Sequence, residues 1–142
     1  SLELVTQSKL NIKAEKLASC ISLDDYSFVI LPGGKAVFET HLESSVTNEI
    51  IKDFYDKQKL VCAICAAPMV LKNYLVGKDF TCFPSCEDNI LGNYTKSKVE
   101  VVDNIITSKA AGTTFEFSYE IIKYLKGEEE AKKVLNNVYY LE

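Results

Sequence analysis

The sequence predicts an α/β domain organised on a mainly parallel sheet, and three observations carry that reading. Two runs, Ser27–Leu31 and Leu60–Ile64, are apolar and rich in β-favouring residues, the pattern of strands buried on both faces. Each stops abruptly, the first at Pro32-Gly33-Gly34 and the second at Cys65-Ala66-Ala67-Pro68. Between and after them lie segments whose apolar residues recur at helical spacing. In such sheets functional groups collect beyond the carboxyl ends of the strands, where both turns fall.

Leu2–Thr6 alternates apolar and polar residues and predicts a short strand. Lys16–Ile21 predicts a second, exposed one. Asp24-Asp25 marks a turn before the Ser27–Leu31 strand. Ser44 or Ser45 is placed to cap a helix whose apolar face is Val46, Ile50, Ile51 and Phe54. The strand into Cys65 is followed by a predicted helix from Ala66 to about Leu75, which Gly77 can end. Phe80–Phe83 reads as a short strand broken by Pro84. Val99–Val102 and Ile105–Ser108 flank Asp103-Asn104 in a hairpin pattern. Thr113 and Glu116 match a capping box for a helix with Phe117, Ile121, Ile122 and Leu125 inward, stopped by Gly127. The last helix carries Glu128, Glu129, Lys132 and Lys133 as acid-before-base pairs on a solvated face. No repeat or linker divides the sequence, so residues 1–142 read as a single domain.

Composition narrows the function classes. The chain is 47% hydrophobic and 25% charged, ordinary for a globular protein that buries one core. A net charge of -4 with dispersed lysines argues against nucleic acid as a partner, which needs a clustered basic face. No apolar run approaches the roughly 18 residues of a membrane span. Arginine is absent, so any anion must be held by lysine, backbone N–H groups or helix ends. Five cysteines, an odd number with several inside apolar runs, indicate free thiols in a reducing, cytoplasmic compartment.

Cys62 and Cys65 form a C-x-x-C motif. With residues 60–64 extended, their Cα atoms stand about 10 Å apart, beyond the roughly 7 Å that a disulfide spans. Cys82 and Cys86 complete a formal four-cysteine set, but structural zinc sites favour polar, glycine-containing turns over hydrophobic strands. Neither a metal nor a cofactor is expected. Cys62 and Cys82 read as small core residues. For Cys65 two readings stand. It is either another buried thiol or a nucleophile on a strand-to-helix turn, where backbone N–H groups and a positive helix end favour the thiolate. In the second case the N–H groups of Gly34 and Ala66 can face a developing oxyanion, the minimum for covalent chemistry at a carbonyl. His41, the single histidine, lies in a loop after the glycine pair and reads either as a base or as a surface residue.

Together, Ile30–Gly34, Ala63–Pro68, Thr107-Ser108 and Gly112–Phe117 resemble the ThiJ/PfpI superfamily, in order and at matching spacing. Within it the chain most resembles the branch of the Parkinsonism-associated protein deglycase and its bacterial ThiJ-like relatives. The resemblance implies a flavodoxin-like, class I glutamine amidotransferase-like three-layer sandwich and a homodimer. It implies Cys65 as the reactive cysteine of a nucleophile elbow, with Gly34 and Ala66 as the oxyanion-binding amides. The activity implied is a cysteine-dependent glyoxalase or deglycase acting on small aldehydes such as methylglyoxal, or on glycated proteins, through a hemithioacetal. Two alternatives accompany it. One is an oxidative-stress sensor or chaperone in which Cys65 is oxidised to sulfenic or sulfinic acid. The other is the thiazole monophosphate biosynthesis role attached to the ThiJ name.

Two departures from the family pattern stand out. Phe83-Pro84 occupies the place where some members have His-Pro, which removes an acid/base partner and argues against the peptidase activity of the PfpI branch. Members also begin with a strand and helix that supply a glutamate hydrogen-bonded to the elbow cysteine. Leu2–Thr6 matches their second strand, so that glutamate has no counterpart here. In a 2-1-3-4-5 strand order, losing the first strand leaves a gap inside the sheet. The expectation is an N-terminally incomplete chain whose missing segment, of roughly 30 or more residues, is disordered, cleaved yet docked as a partner, or absent.

Overall fold

The computed structural model describes residues 2–140. Along the chain the strands are β1 (Glu3–Val5), β2 (Asn11–Lys13), β3 (Phe28–Leu31), β4 (Leu60–Ile64), β5 (Asp79–Phe80), β6 (Asn93–Tyr94), β7 (Val99–Val102) and β8 (Ile105–Ser108). The α-helices are α1 (Ala36–Glu39), α2 (Ser45–Asp56), α3 (Thr114–Lys126) and α4 (Glu128–Asn137). The central sheet runs β3-β4-β8-β7, with β3 and β8 parallel to β4 and only β7 antiparallel. This is the mainly parallel α/β arrangement that the sequence predicts.

Strand β4 is buried from Leu60 to Ala63 because strands flank it and helices cover both faces. Val61 and Ala63 join the core under α2, with Ile51 and Phe54. Leu60 and Cys62 point the other way, into the core under α3, with Ile106, Phe117 and Ile121. The strand therefore delivers Cys62 to packing and leaves Cys65 beyond its carboxyl end. The α3 layer covers β7 and β8 but not the whole of β3, where Phe28 and Ile30 stay 39% and 44% exposed.

Several expected elements form for the expected reasons. The Ser44 hydroxyl accepts from the Thr47 N–H at 3.2 Å and caps α2. Asp103 takes a left-handed φ of 50° in the two-residue turn between β7 and β8. Gly127, at φ 92°, separates α3 from α4. Glu116 in the first turn of α3 pairs with Lys98 beside β7.

Other expectations need correction. Lys16–Ile21 is no strand: Ala18–Cys20 is a single 3-10 turn, and β1 pairs instead with Asn11–Lys13 in a small antiparallel sheet of its own. Thr113 and Glu116 form no capping box. The Thr113 hydroxyl is engaged with Ser108 and Ala110, and the Glu116 carboxylate with Lys98. The predicted helix from Ala66 to Leu75 is only a 3-10 turn over Ala67–Leu71, followed by further turns. Ala67, Pro68, Val70 and Leu71 are all buried there, so the segment presents no single apolar face with a solvated opposite face. Among the described residues no helix is long and apolar enough to cross a membrane.

One buried side chain ties the sheet to the helical layer. Asn104 is 1% exposed and its side-chain amide donates to the carbonyls of Lys59 at 2.7 Å and Tyr55 at 3.3 Å, while its backbone carbonyl accepts from Val61 N–H at 2.9 Å. Asn104→Ala leaves the Lys59 carbonyl unpaired and is expected to cost about 1–3 kcal/mol. Urea unfolding followed by circular dichroism reads this directly, and an unchanged midpoint would refute it.

Candidate active site

The site is built where β4 ends. Cys65 follows Ile64 with φ 65°, a left-handed conformation that a residue with a Cβ adopts only when its surroundings enforce it. The surroundings are hydrogen bonds on both sides of its peptide unit. Its N–H donates to the Ser108 carbonyl at 2.9 Å, and its carbonyl accepts from Phe83 N–H at 2.8 Å. The elbow is thereby held between the end of β8 and the loop after β5, with the side chain half-buried.

A second loop presses onto the thiol. A Cβ added to Gly33 would lie 2.5 Å from the Cys65 Cβ and 3.1 Å from its sulfur. No side chain fits at position 33, and glycine is what lets the β3 turn approach this closely. Gly34 follows at φ 94°. Among the described residues, neither Gly34 nor Ala66 donates its N–H to another backbone carbonyl. The structure thus assembles Gly33, Gly34, Cys65 and Ala66 at two adjacent strand ends.

One sequence-based expectation does not survive. The positive end of a long helix is missing, because the turn after the elbow has only five residues and too little aligned dipole to act on a thiolate. His41 is committed elsewhere, with Nδ1 3.1 Å from the Thr47 hydroxyl in the first turn of α2. Among the described residues no carboxylate or imidazole hydrogen-bonds to the Cys65 sulfur. Phe83, at the position of the family histidine, is 46% exposed.

The remaining cysteines differ in kind. Burial pushes the Cys62 and Cys82 thiols up to about 12, which keeps them protonated at neutral pH. Cys86 is 6% exposed and also raised, by burial first and then by charge on Cys65. Cys20 is exposed. Among the described residues no three His, Cys, Asp or Glu side chains are grouped to hold a metal ion.

The sequence reading missed Gln7. Its Oε1 lies 3.6 Å from where a Gly34 Cβ would sit, so the turn between β1 and β2 reaches the glycine pair. Nothing in the sequence pattern marks this contact, since it depends on how the small sheet is set against β3.

A sequence model of the DJ-1/PfpI family matches residues 1–124. Protein DJ-1alpha of Drosophila melanogaster is 35% identical over 134 residues, covering 91% of this chain and 62% of that protein. The chain therefore spans less than two thirds of the length of that relative. Glutathione-independent glyoxalase DJR-1.2 of Caenorhabditis elegans is 30% identical over 132 residues, covering 87% and 70% respectively. The crystal structure of Drosophila melanogaster DJ-1beta matches with a TM-score of 0.89 at 28% identity, over 99% of this chain and 78% of that one. The family match spans the elbow, the glycine pair and most of the chain, and on it the chain belongs to the DJ-1/PfpI family.

Proposed function

We propose that the chain carries a cysteine-dependent activity on small reactive aldehydes of the methylglyoxal type, or on their protein adducts, with Cys65 as nucleophile. The observation that carries this reading is the left-handed Cys65 with glycine backbone packed against its sulfur. Addition to a carbonyl needs an accessible thiol with N–H donors beside it, the roles this reading gives to Cys65, Gly34 and Ala66. The name of the Caenorhabditis elegans relative, a glutathione-independent glyoxalase, supports the same class of substrate.

In this scheme the Cys65 sulfur attacks the aldehyde carbon. A C–S bond forms, and the carbonyl π pair moves to oxygen, where the N–H groups of Gly34 and Ala66 hold the negative charge. Protonation of that oxygen gives the hemithioacetal. Gln7 lies beside Gly34, and in this reading its amide N–H donates to a second oxygen on the substrate. The assembly we take to be a homodimer, as in the family expectation. Five free cysteines support a reducing, cytoplasmic setting.

Three outcomes test this reading. Cys65→Ser should reduce methylglyoxal consumption to the uncatalysed background, measured by loss of the dicarbonyl and appearance of the hydroxy acid. Turnover by the intact chain no higher than that of the variant would instead favour thiol sensing. Gly33→Ala should lower turnover about a hundredfold by displacing the sulfur and cost roughly 1–3 kcal/mol through the forced contact. Gly112→Ala is the control, since nothing lies within 4 Å of the added Cβ, and it should leave both unchanged. Finally, iodoacetamide at neutral pH should modify Cys20 and Cys65 in the folded protein and spare Cys62 and Cys82, as mass mapping would read. Fast labelling of Cys62 would contradict its placement under α3.

A further inference from the structure

Cys86 is a buried thiol beside the elbow for which the aldehyde chemistry has no use. Its position is set by a short chain of contacts that begins at Cys65 itself. The Phe83 N–H donates to the Cys65 carbonyl at 2.8 Å, which fastens the loop to the elbow. Pro84 and Ser85 then occupy the corners of a turn closed by the Cys86 N–H on the Phe83 carbonyl at 3.0 Å. Proline at the first corner and φ 75° at Ser85 are the signature of a type II turn, here with a serine where glycine is usual. The turn folds Cys86 back into the same buried cluster as Ala66 and Ala67, the two residues that follow Cys65. The two thiols are also in electrostatic reach, because charge on Cys65 raises the Cys86 thiol and helps keep it protonated.

The other thiols are less suited to meet Cys65. Cys62 points through the opposite face of β4 into the α3 core. Cys82 shares the cluster of Ala66 and Ala67 and is also in electrostatic reach of Cys65, but it is fully buried and lies before the turn that folds Cys86 back. Cys65 is the more exposed of the pair and meets a solvent oxidant first.

We propose that Cys86 is the resolving thiol for Cys65, so that a hydroperoxide converts the two into an intramolecular disulfide. This rests on Cys65 being the reactive thiol, as in the function above. The Cys65 thiolate attacks the peroxide, the O–O bond breaks, and Cys65 becomes a sulfenic acid while the peroxide leaves as an alcohol or water. The Cys86 sulfur then attacks the Cys65 sulfur. An S–S bond forms, the S–O bond breaks, and the departing hydroxide takes the Cys86 proton as water. Two thiols are oxidised by two electrons and one hydroperoxide is reduced. The disulfide stops Cys65 short of the sulfinic acid, which thiols do not reverse.

The test treats the reduced protein with stoichiometric hydrogen peroxide, blocks remaining thiols after unfolding, and maps the peptides by mass. The expected result is loss of two thiols per chain, a peptide pair joined through Cys65 and Cys86, and full recovery with dithiothreitol. In Cys86→Ala, and in Cys86→Ser as the variant closer in size and polarity, Cys65 should instead stay a sulfenic acid after one equivalent of peroxide and proceed to the sulfinic acid with a second, at an unchanged rate of first oxidation. A wild-type protein carrying Cys65 sulfinic acid with Cys86 still open to alkylation would overturn the proposal. A link from Cys65 to Cys82, or between chains, would overturn it as well. Methylglyoxal turnover by the same variants keeps the two readings apart. Turnover without the Cys65–Cys86 link defeats only this proposal, and the link without turnover defeats only the aldehyde reading.

Discussion

The constraint on which the site depends is the left-handed backbone of Cys65. A residue with a Cβ does not rest there unaided, and the cost is of order 1–3 kcal/mol. Three contacts hold it: the Ser108 carbonyl on the N–H, the Phe83 N–H on the carbonyl, and the Gly33 backbone against the side chain. Each contact comes from a different strand end or loop, and the Ser108 and Gly33 contacts depend on the parallel register of β3, β4 and β8. The apolar core under α2 and α3 fixes that register, so the packing of the sheet and the aim of the sulfur are one problem.

Where a local rule and the tertiary environment agree, the sequence is readable. β3 and β4 are long apolar runs with sharp stops, and both strands form with their stops at the site. Ser44 has no better partner than the Thr47 N–H and caps α2 as expected. The failures are of the opposite kind. A predicted strand at Lys16–Ile21 scored on local pattern, but β1 finds its partner five residues earlier, where a tight turn already brings Asn11 opposite Val5. The Thr113 hydroxyl has two stronger claims on it than a capping box, from Ser108 and from Ala110. Ala66–Leu75 contains good helix formers, yet almost every side chain of its first turns is buried, and packing decides the backbone there.

The site was legible as residue types and only partly as geometry. A cysteine at the end of a buried strand, small residues after it and a glycine pair on the neighbouring strand are all visible in one dimension. The division of labour within the pair is not. Gly33 is needed for the absence of a side chain, as the 3.1 Å from its added Cβ to the Cys65 sulfur shows, while Gly34 is proposed to offer an amide. Gln7 and Cys86 are legible only after folding, because each reaches the site through a turn whose position no local pattern encodes.

The structure also moves the source of reactivity at Cys65. A long helix dipole is not present behind the elbow, and no carboxylate hydrogen-bonds to the sulfur among the described residues. What remains is exposure and enforced geometry, with the Gly34 and Ala66 amides as the proposed oxyanion donors. Those amides do little for a resting thiolate compared with what they do for an alkoxide, since they favour charge that appears only after the carbonyl has been attacked. On the proposed reading, such a site would discriminate by what can form an oxyanion next to the sulfur. A hydroperoxide needs no such cradle, only access. The two proposals draw on the same Cys65 sulfur and exclude each other: if both hold, the oxidation state of the elbow sets how much of the protein can engage an aldehyde at all.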